Sequence, residues 1–215
     1  MKKLLIATAV LLALATPALA DSHIIKVGIL MGFTGPIESL TVGIARAAEI
    51  ALEEANDSGE LLGGKMFKAV KADTTCVDAA AATASAERLI NVEGVAAIVG
   101  ALCSGSTIAS ANNVAIPNGV VMISPASTSP AITGMDDDGL VFRTAPSDAR
   151  QGQVLATVLR DKGISTVALT YTNNDYGKGF ADAFSAAFAA NGGTVALSAG
   201  HEEDKADYSA EVAAL

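Results

Sequence analysis

The chain has 215 residues, 51% of them hydrophobic but only 4% aromatic, with 20 glycines and a formal net charge of −9. That length can bury a sizeable core, and the acidic balance excludes non-specific binding to nucleic acid or anionic lipid.

In chain order, residues 1–20 carry the pattern of a secretory signal. Lys2 and Lys3 form a charged start, Leu4–Ala15 is an apolar run, and Ala18-Leu19-Ala20 supplies small residues at the cleavage position. A membrane span needs about 20 apolar residues, more than this run offers, and Asp21 gives no thiol for lipid attachment. Cleavage would remove two lysines and no acid, taking the net charge from −9 to −11 over the remaining 195 residues. The expectation is a soluble periplasmic protein with no direct membrane anchor.

From Ile24 onward, strand and helix signals alternate. Strands are predicted over His23–Met31, Lys65–Asp73, Val95–Gly100, Val120–Ile123, Leu140–Thr144, Thr166–Tyr171 and Thr194–Ala199. Helices are predicted over Thr41–Asn56, with Ile44, Ala47, Ala48, Ala51, Leu52 and Ala55 on the inner face, and over Asp78–Asn91 and Ser106–Ala115. Residues 125–139 read as loop. Asp148, with Gln151 three residues on, looks like the start of a helix to Lys162 that buries Val154, Leu155, Val158 and Leu159. Phe180, Ala183, Phe184, Ala187 and Phe188 line another helix, and Asp207 opens a last helical pattern. Repeated βαβ units predict α/β architecture, with parallel sheets and right-handed crossovers.

The division expected is a signal over 1–20, a first lobe over 21–144 and the start of a second, incomplete lobe over 145–215. Two strands with two or three helices cannot bury a core like that of the first lobe, so the chain reads as the N-terminal part of a longer protein.

Two loops carry the chemistry. Leu102-Cys103-Ser104-Gly105-Ser106-Thr107 and Ser124-Pro125-Ala126-Ser127-Thr128-Ser129-Pro130 each follow a short apolar run that reads as a buried strand. In an open α/β sheet ligands collect beyond the carboxyl ends of strands, where helix N-termini point N–H groups outward. Hydroxyls and free amides from neighbouring strand ends suit a small carboxylate. By themselves, Ser104 is equally a helix cap and Thr128 an ordinary turn residue.

Cys76 and Cys103 each lie just past a predicted strand in a chain expected to be exported. Adjacent strand ends could bring them within bridging distance, for roughly 3–4 kcal/mol of stabilisation, and two buried free thiols remain the alternative. Their spacing has nothing of a zinc site. Gly59-x4-Gly64-Lys65 lacks the Ser/Thr of a phosphate loop, because Met66 follows, and it precedes a strand. The glycines at 28, 32 and 35 are wrongly spaced for a dinucleotide, and Asp136-Asp137-Asp138-Gly139 has Ser147 where a calcium loop needs Glu. His23 and His201, at a terminus and in a polar loop, are not placed to activate Ser104. No enzyme, cofactor or metal is expected.

Read together, these pieces resemble the leucine/isoleucine/valine-binding proteins. The likeness runs from Lys26 to Leu215 through Thr34-Gly35-Pro36, Ala72-Asp73 before Cys76, Gly100–Thr107, Ser124–Pro130, Phe142-Arg143-Thr144, Asp148 with Gln151-Gly152, and Asn174-Asp175-Tyr176-Gly177-Lys178-Gly179. The resemblance implies a two-lobed type I periplasmic binding-protein fold, its second lobe truncated here, and a Cys76–Cys103 disulfide. It implies an amino-acid ligand, branched-chain or otherwise aliphatic, delivered by a monomeric receptor to an inner-membrane ABC permease. The ligand carboxylate would sit on the Ser104 hydroxyl and amide and the Thr128 amide. The ammonium would meet the Ala126 carbonyl and the Thr128 hydroxyl. Leu102 and Cys103 would line the pocket, and Tyr176 would close over it.

An acidic partner for the ammonium is expected from the second lobe beyond Leu215. Ile37-Glu38-Ser39-Leu40 stands where many relatives have an aromatic, and Gly105 where a second serine is common. An extracytoplasmic sensing domain of a signalling receptor is the rival reading, and a secreted serine hydrolase a distant third.

Overall fold

The computed structural model describes residues 23–60, 63–203 and 205–214, so the expected signal lies outside the described residues. Among the described residues, seven strands and seven helices follow one another: β1 (Ile24–Met31), α1 (Glu38–Asp57), β2 (Met66–Asp73), α2 (Ala79–Glu87), β3 (Ala97–Gly100), α3 (Ser104–Ser110), β4 (Val121–Ser124), α4 (Pro130–Thr133), β5 (Val141–Arg143), α5 (Asp148–Asp161), β6 (Thr166–Thr172), α6 (Asp175–Ala190), β7 (Thr194–His201) and α7 (Ser209–Ala214). Helices α2 and α3 widen at their ends into π-helical turns, Arg88–Val92 and Ala111–Ala115.

The first sheet is parallel throughout, in the order β2-β1-β3-β4-β5. The strand β1 lies between β2 and β3 and has no polar side beyond its first residues, as expected where helices cover both faces. On one face Leu30, Ile98 and Met122 meet Ala86, Leu89, Ala111 and Val114 of α2, α3 and their π turns. On the other, Ile29 and Met31 meet Ala45 of α1 and Leu102. The second sheet is the parallel pair β6-β7, where Val167, Leu169 and Val195 pack against Ala156, Phe184 and Phe188 of α5 and α6.

Several expectations shift. Helix α1 buries Thr41 and Ala45, whereas Ala47 and Ala51 are exposed. The loop over 125–139 contains α4, started by Pro130 and capped by Ser129, whose Oγ accepts from the Ala131 amide at 3.4 Å. Ser147, not Asp148, caps α5 by accepting from the Ala149 amide at 3.2 Å. The inner face of α5 is Gly152, Ala156 and Leu159, with Val154, Leu155 and Val158 left exposed. His201 ends β7 instead of lying in a loop, and its Nδ1 is 2.7 Å from the Thr170 hydroxyl.

The disulfide joins Cys76 and Cys103, with Cα atoms 5.6 Å apart. The strands before them are not adjacent: β2 and β3 flank β1, so the bridge arches over the carboxyl end of β1. Gly32, just past β1, leaves the room, because a Cβ there would lie 3.3 Å from the Cys76 Cβ and Sγ.

Candidate functional site

A cleft of about 910 Å³ lies where the carboxyl ends of both sheets converge. After β1 come Pro36, Ile37 and Leu40; after β2, Cys76 and Val77; after β3, Leu102, Cys103, Ser104 and Gly105; after β4, Ala126 and Thr128. From the second sheet come Asn174, Asp175 and Tyr176 after β6, and Glu202, Glu203 and Tyr208 after β7. The order of the first sheet reverses between β1 and β3, and a crevice at such a switch point is the usual ligand position in open α/β sheets. All six residues predicted to contact a ligand, Leu102, Cys103, Ser104, Ala126, Thr128 and Tyr176, line this one cleft.

The loops after β3 and β4 are held together by buried hydroxyls. Ser124 Oγ donates to the Ala101 carbonyl at 2.5 Å and accepts from the Ser127 amide at 2.9 Å. Ser127 Oγ donates to the Leu102 carbonyl at 3.0 Å and lies 2.7 Å from Thr107 Oγ1. Ser124, Ser127 and Thr107 are at most 1% exposed, so within these serine- and threonine-rich loops they act as struts.

Ser104 is the first residue of α3, two positions earlier than the helix predicted, and the amides of that first turn have no acceptor within the helix. Ser104 is only 2% exposed. Ser104 Oγ accepts from the amides of Thr128 at 3.3 Å and Ser129 at 3.2 Å. The two residues assigned to a ligand carboxylate therefore hold each other in place, and the Ser104 hydroxyl proton remains available to donate.

Thr128 is a junction, since its carbonyl accepts from the Asp148 amide at 2.9 Å and ties the loop after β4 to the start of α5. Tyr176, 43% exposed, stacks near Phe180 with ring centroids 6.5 Å apart. Burial, and then the nearby Asp148 charge, raises its phenol above the ordinary pKa, so it stays neutral.

The walls differ in character. Ile37, Leu40 and Ile44 make one flank apolar in the absence of an aromatic. From the second sheet's loops come the carboxylates of Asp175, Glu202 and Glu203, which the sequence did not mark, and Asp175 reaches across, its Oδ2 2.7 Å from where a Cβ on Gly105 would lie. The Asn173 side chain donates its Nδ2 to Glu202 at 2.8 Å and the Asn174 side chain its Nδ2 to Glu203 at 2.6 Å. No group of three or more metal-ligating side chains occurs among the described residues, and none of their helices is long and apolar enough to cross a membrane.

Residues 24–215 match the family of periplasmic binding proteins. The Leu/Ile/Val/Thr-binding protein of Salmonella typhimurium is 32% identical over 214 residues, 99% of this chain and 57% of that protein. An amino acid binding protein of Pseudomonas aeruginosa is 36% identical over 184 residues, 84% of this chain and 46% of its own length. The chain thus spans about half the length of these curated relatives.

A leucine binding protein of Thermotoga maritima superposes with a TM-score of 0.79 at 28% identity, covering 88% of this chain and 52% of that one. An ABC transporter substrate-binding protein of Desulfitobacterium hafniense, solved in complex with Leu, gives 0.67 at 30% identity, covering 84% and 52%. These relatives are binding proteins, not enzymes. The chain belongs to the periplasmic binding protein family and shares the type I fold of its leucine/isoleucine/valine-binding members.

Proposed function

We propose that this protein is exported through residues 1–20, captures a small aliphatic α-amino acid between a lobe formed by residues 21–144 and a second lobe beginning at 145, and delivers it to an inner-membrane ABC permease. The observation that carries this reading is the polarity of the cleft. The first sheet's loops bring the hydroxyls of Ser104 and Thr128 and the first-turn amides of α3, the second sheet's loops bring carboxylates and Tyr176, and Ile37, Leu40 and Ile44 add an apolar flank.

A carboxylate is best held by several converging donors in a desolvated site. The neutral donors suit the negative end of a zwitterion, the acidic wall its positive end, and the apolar flank an aliphatic side chain. The binding of leucine and related amino acids by the relatives supports the same ligand class. Ala126 and Thr128 would take part of the ammonium, and Leu102 and Cys103 the floor.

Calorimetry with leucine, isoleucine and valine on the protein expressed from its complete reading frame tests this. One of the three should bind, and Ser104→Ala should weaken it roughly 10- to 150-fold, the equivalent of about 1.5–3 kcal/mol for a hydrogen bond to a charged group. Because Ser104 Oγ also holds two amides, melting of the variant must be measured alongside. Unchanged affinity in a folded variant would remove Ser104 from the site, and no binding of any aliphatic amino acid would remove the ligand class.

A further inference from the structure

Asp148 is fully buried, and neither carboxylate oxygen has a hydrogen-bond partner. Buried polar groups are almost always paired, so an open carboxylate at a functional cleft asks for a missing partner. Helix capping does not supply the reason. Ser147 already caps α5, and no amide of the first turn donates to the Asp148 carboxylate.

The surroundings point toward the cleft. The Thr128 hydroxyl approaches the carboxylate without completing a hydrogen bond, and the Asp148 charge reaches the Tyr176 phenol. Both neighbours line the cleft. The one cation nearby, Arg143, is committed elsewhere, donating to the Ser129 carbonyl at 2.8 Å and to the Thr133 hydroxyl, and it forms no ion pair with Asp148 among the described residues. Desolvation dominates over the opposing influence of Thr128 and Arg143, so the carboxyl is harder to ionise than an ordinary aspartate. A cation arriving on the cleft side of Thr128 would reverse that balance.

We propose that Asp148 is the buried counter-charge for the ligand's cationic group, a positioning residue that acts through the Thr128 hydroxyl. Thr128 donates to Asp148 and turns its lone pairs toward the ammonium, while the carboxylate adds negative potential through a region of low dielectric. The proposal deepens the amino-acid reading given above and rests on it.

The test compares wild type with Asp148→Asn by calorimetry, using leucine and 4-methylpentanoate, which is leucine without its ammonium, at pH 7 and in steps down to about pH 4, near the ordinary aspartate pKa. Leucine should bind the variant about 10- to 100-fold more weakly and 4-methylpentanoate no more weakly than it binds wild type, so the preference for the ammonium shrinks. As pH falls from 7 through the raised Asp148 pKa, the leucine affinity of wild type should fall more than that of the variant. The groups facing Asp148, Arg143 and Tyr176, and the cleft acids Asp175, Glu202 and Glu203 are common to both proteins, so the difference between the two pH profiles isolates Asp148.

The variant should melt no lower than wild type, because it loses an unpaired buried charge. Equal leucine affinity in the two proteins overturns the proposal, and so does an equal loss of both ligands, which marks a distorted cleft. Wild type that binds no aliphatic amino acid overturns the functional reading and this inference with it.

Discussion

Asp73, the last residue of β2, accepts from the amides of Phe33 at 2.8 Å, Thr34 at 3.3 Å and Thr75 at 2.9 Å, and from the Thr34 hydroxyl at 2.5 Å. One carboxylate thereby fixes the turn after β1 that carries Pro36 and Ile37 into the cleft. Partial burial alone would raise its pKa, but the Thr34 hydroxyl and the three amides together outweigh it and hold the group below the ordinary 3.8. A carboxyl with a depressed folded pKa contributes stability above its unfolded pKa, about 3.9, and loses that contribution as pH falls through the folded value. Asp73→Ala should therefore cost about 1–3 kcal/mol at pH 7, with the gap to wild type closing below pH 4. Urea unfolding of both proteins at pH 7, 4 and 3 checks it, and a gap independent of pH would show that the charge contributes nothing.

At this same scale the site was only half legible from sequence. Ser104, Thr128 and Tyr176 could be marked only because an ordered set of motifs surrounds them, since a lone Ser or Thr after an apolar run is as readily a cap or a turn residue. Asp148 does start α5, as its spacing to Gln151 suggests, but a sequence cannot show that Ser147 takes the cap and that the Asp148 carboxylate is buried without a partner. The acids at 175, 202 and 203 gave no signal, because an exposed Glu-Glu pair in a polar stretch is the commonest surface pattern there is.

Among the elements, the contact of α5 with α6 holds the second sheet's only described apolar cover and depends on Gly152. A Cβ there would sit 2.8 Å from the Phe184 nitrogen and 2.9 Å from the Ala183 carbonyl carbon, backbone atoms that cannot rotate away. Alanine gains about 0.8–1.0 kcal/mol of helix propensity over glycine, but overpacking costs about 1–3 kcal/mol, so Gly152→Ala should destabilise. Gly43 in α1 supplies the contrast, because a Cβ there meets nothing within 4 Å and Gly43→Ala should stabilise by about the propensity difference. Thermal melts of the two single variants should move in opposite directions; a rise in both would mean that the helices slide apart freely at Gly152.

Apolar periodicity predicts that contact imperfectly for the same reason. It weighs Val154, Leu155 and Val158 as the inner face of α5, whereas the close approach selects the smallest residues, Gly152 and Ala156. Strand order was likewise beyond the pattern. Alternating elements imply a parallel sheet, but only the structure shows that β2 and β3 flank β1 and that the disulfide crosses over its end.

For the molecule as a whole, the proposed function requires that the cleft shut on its ligand, which excludes water and strengthens polar contacts, with Thr144–Ser147 as the expected hinge. Gly179 of α6 marks where the two halves touch on the hinge side. A Cβ there would lie 2.9 Å from Ser129 Oγ and 3.1 Å from the Pro130 ring, which opens α4 beside the first sheet. Ser129 is 1% exposed, and a proline ring has no alternative rotamer that clears the space. Gly179→Val should therefore hold the halves apart. Valine has a better helix propensity than glycine, so α6 itself is not weakened and the melting temperature should change little.

Small-angle scattering of the protein from its complete reading frame should show a smaller radius of gyration with saturating leucine in wild type, and less contraction in the variant. If closure loses about 1.4 kcal/mol, leucine affinity falls about tenfold. That loss should come without any change in the preference for leucine over 4-methylpentanoate, because Thr128 and Asp148 keep their places. Full contraction with unaltered affinity would mean that α4 and α6 separate before the cleft closes, and that the closed form is sealed elsewhere.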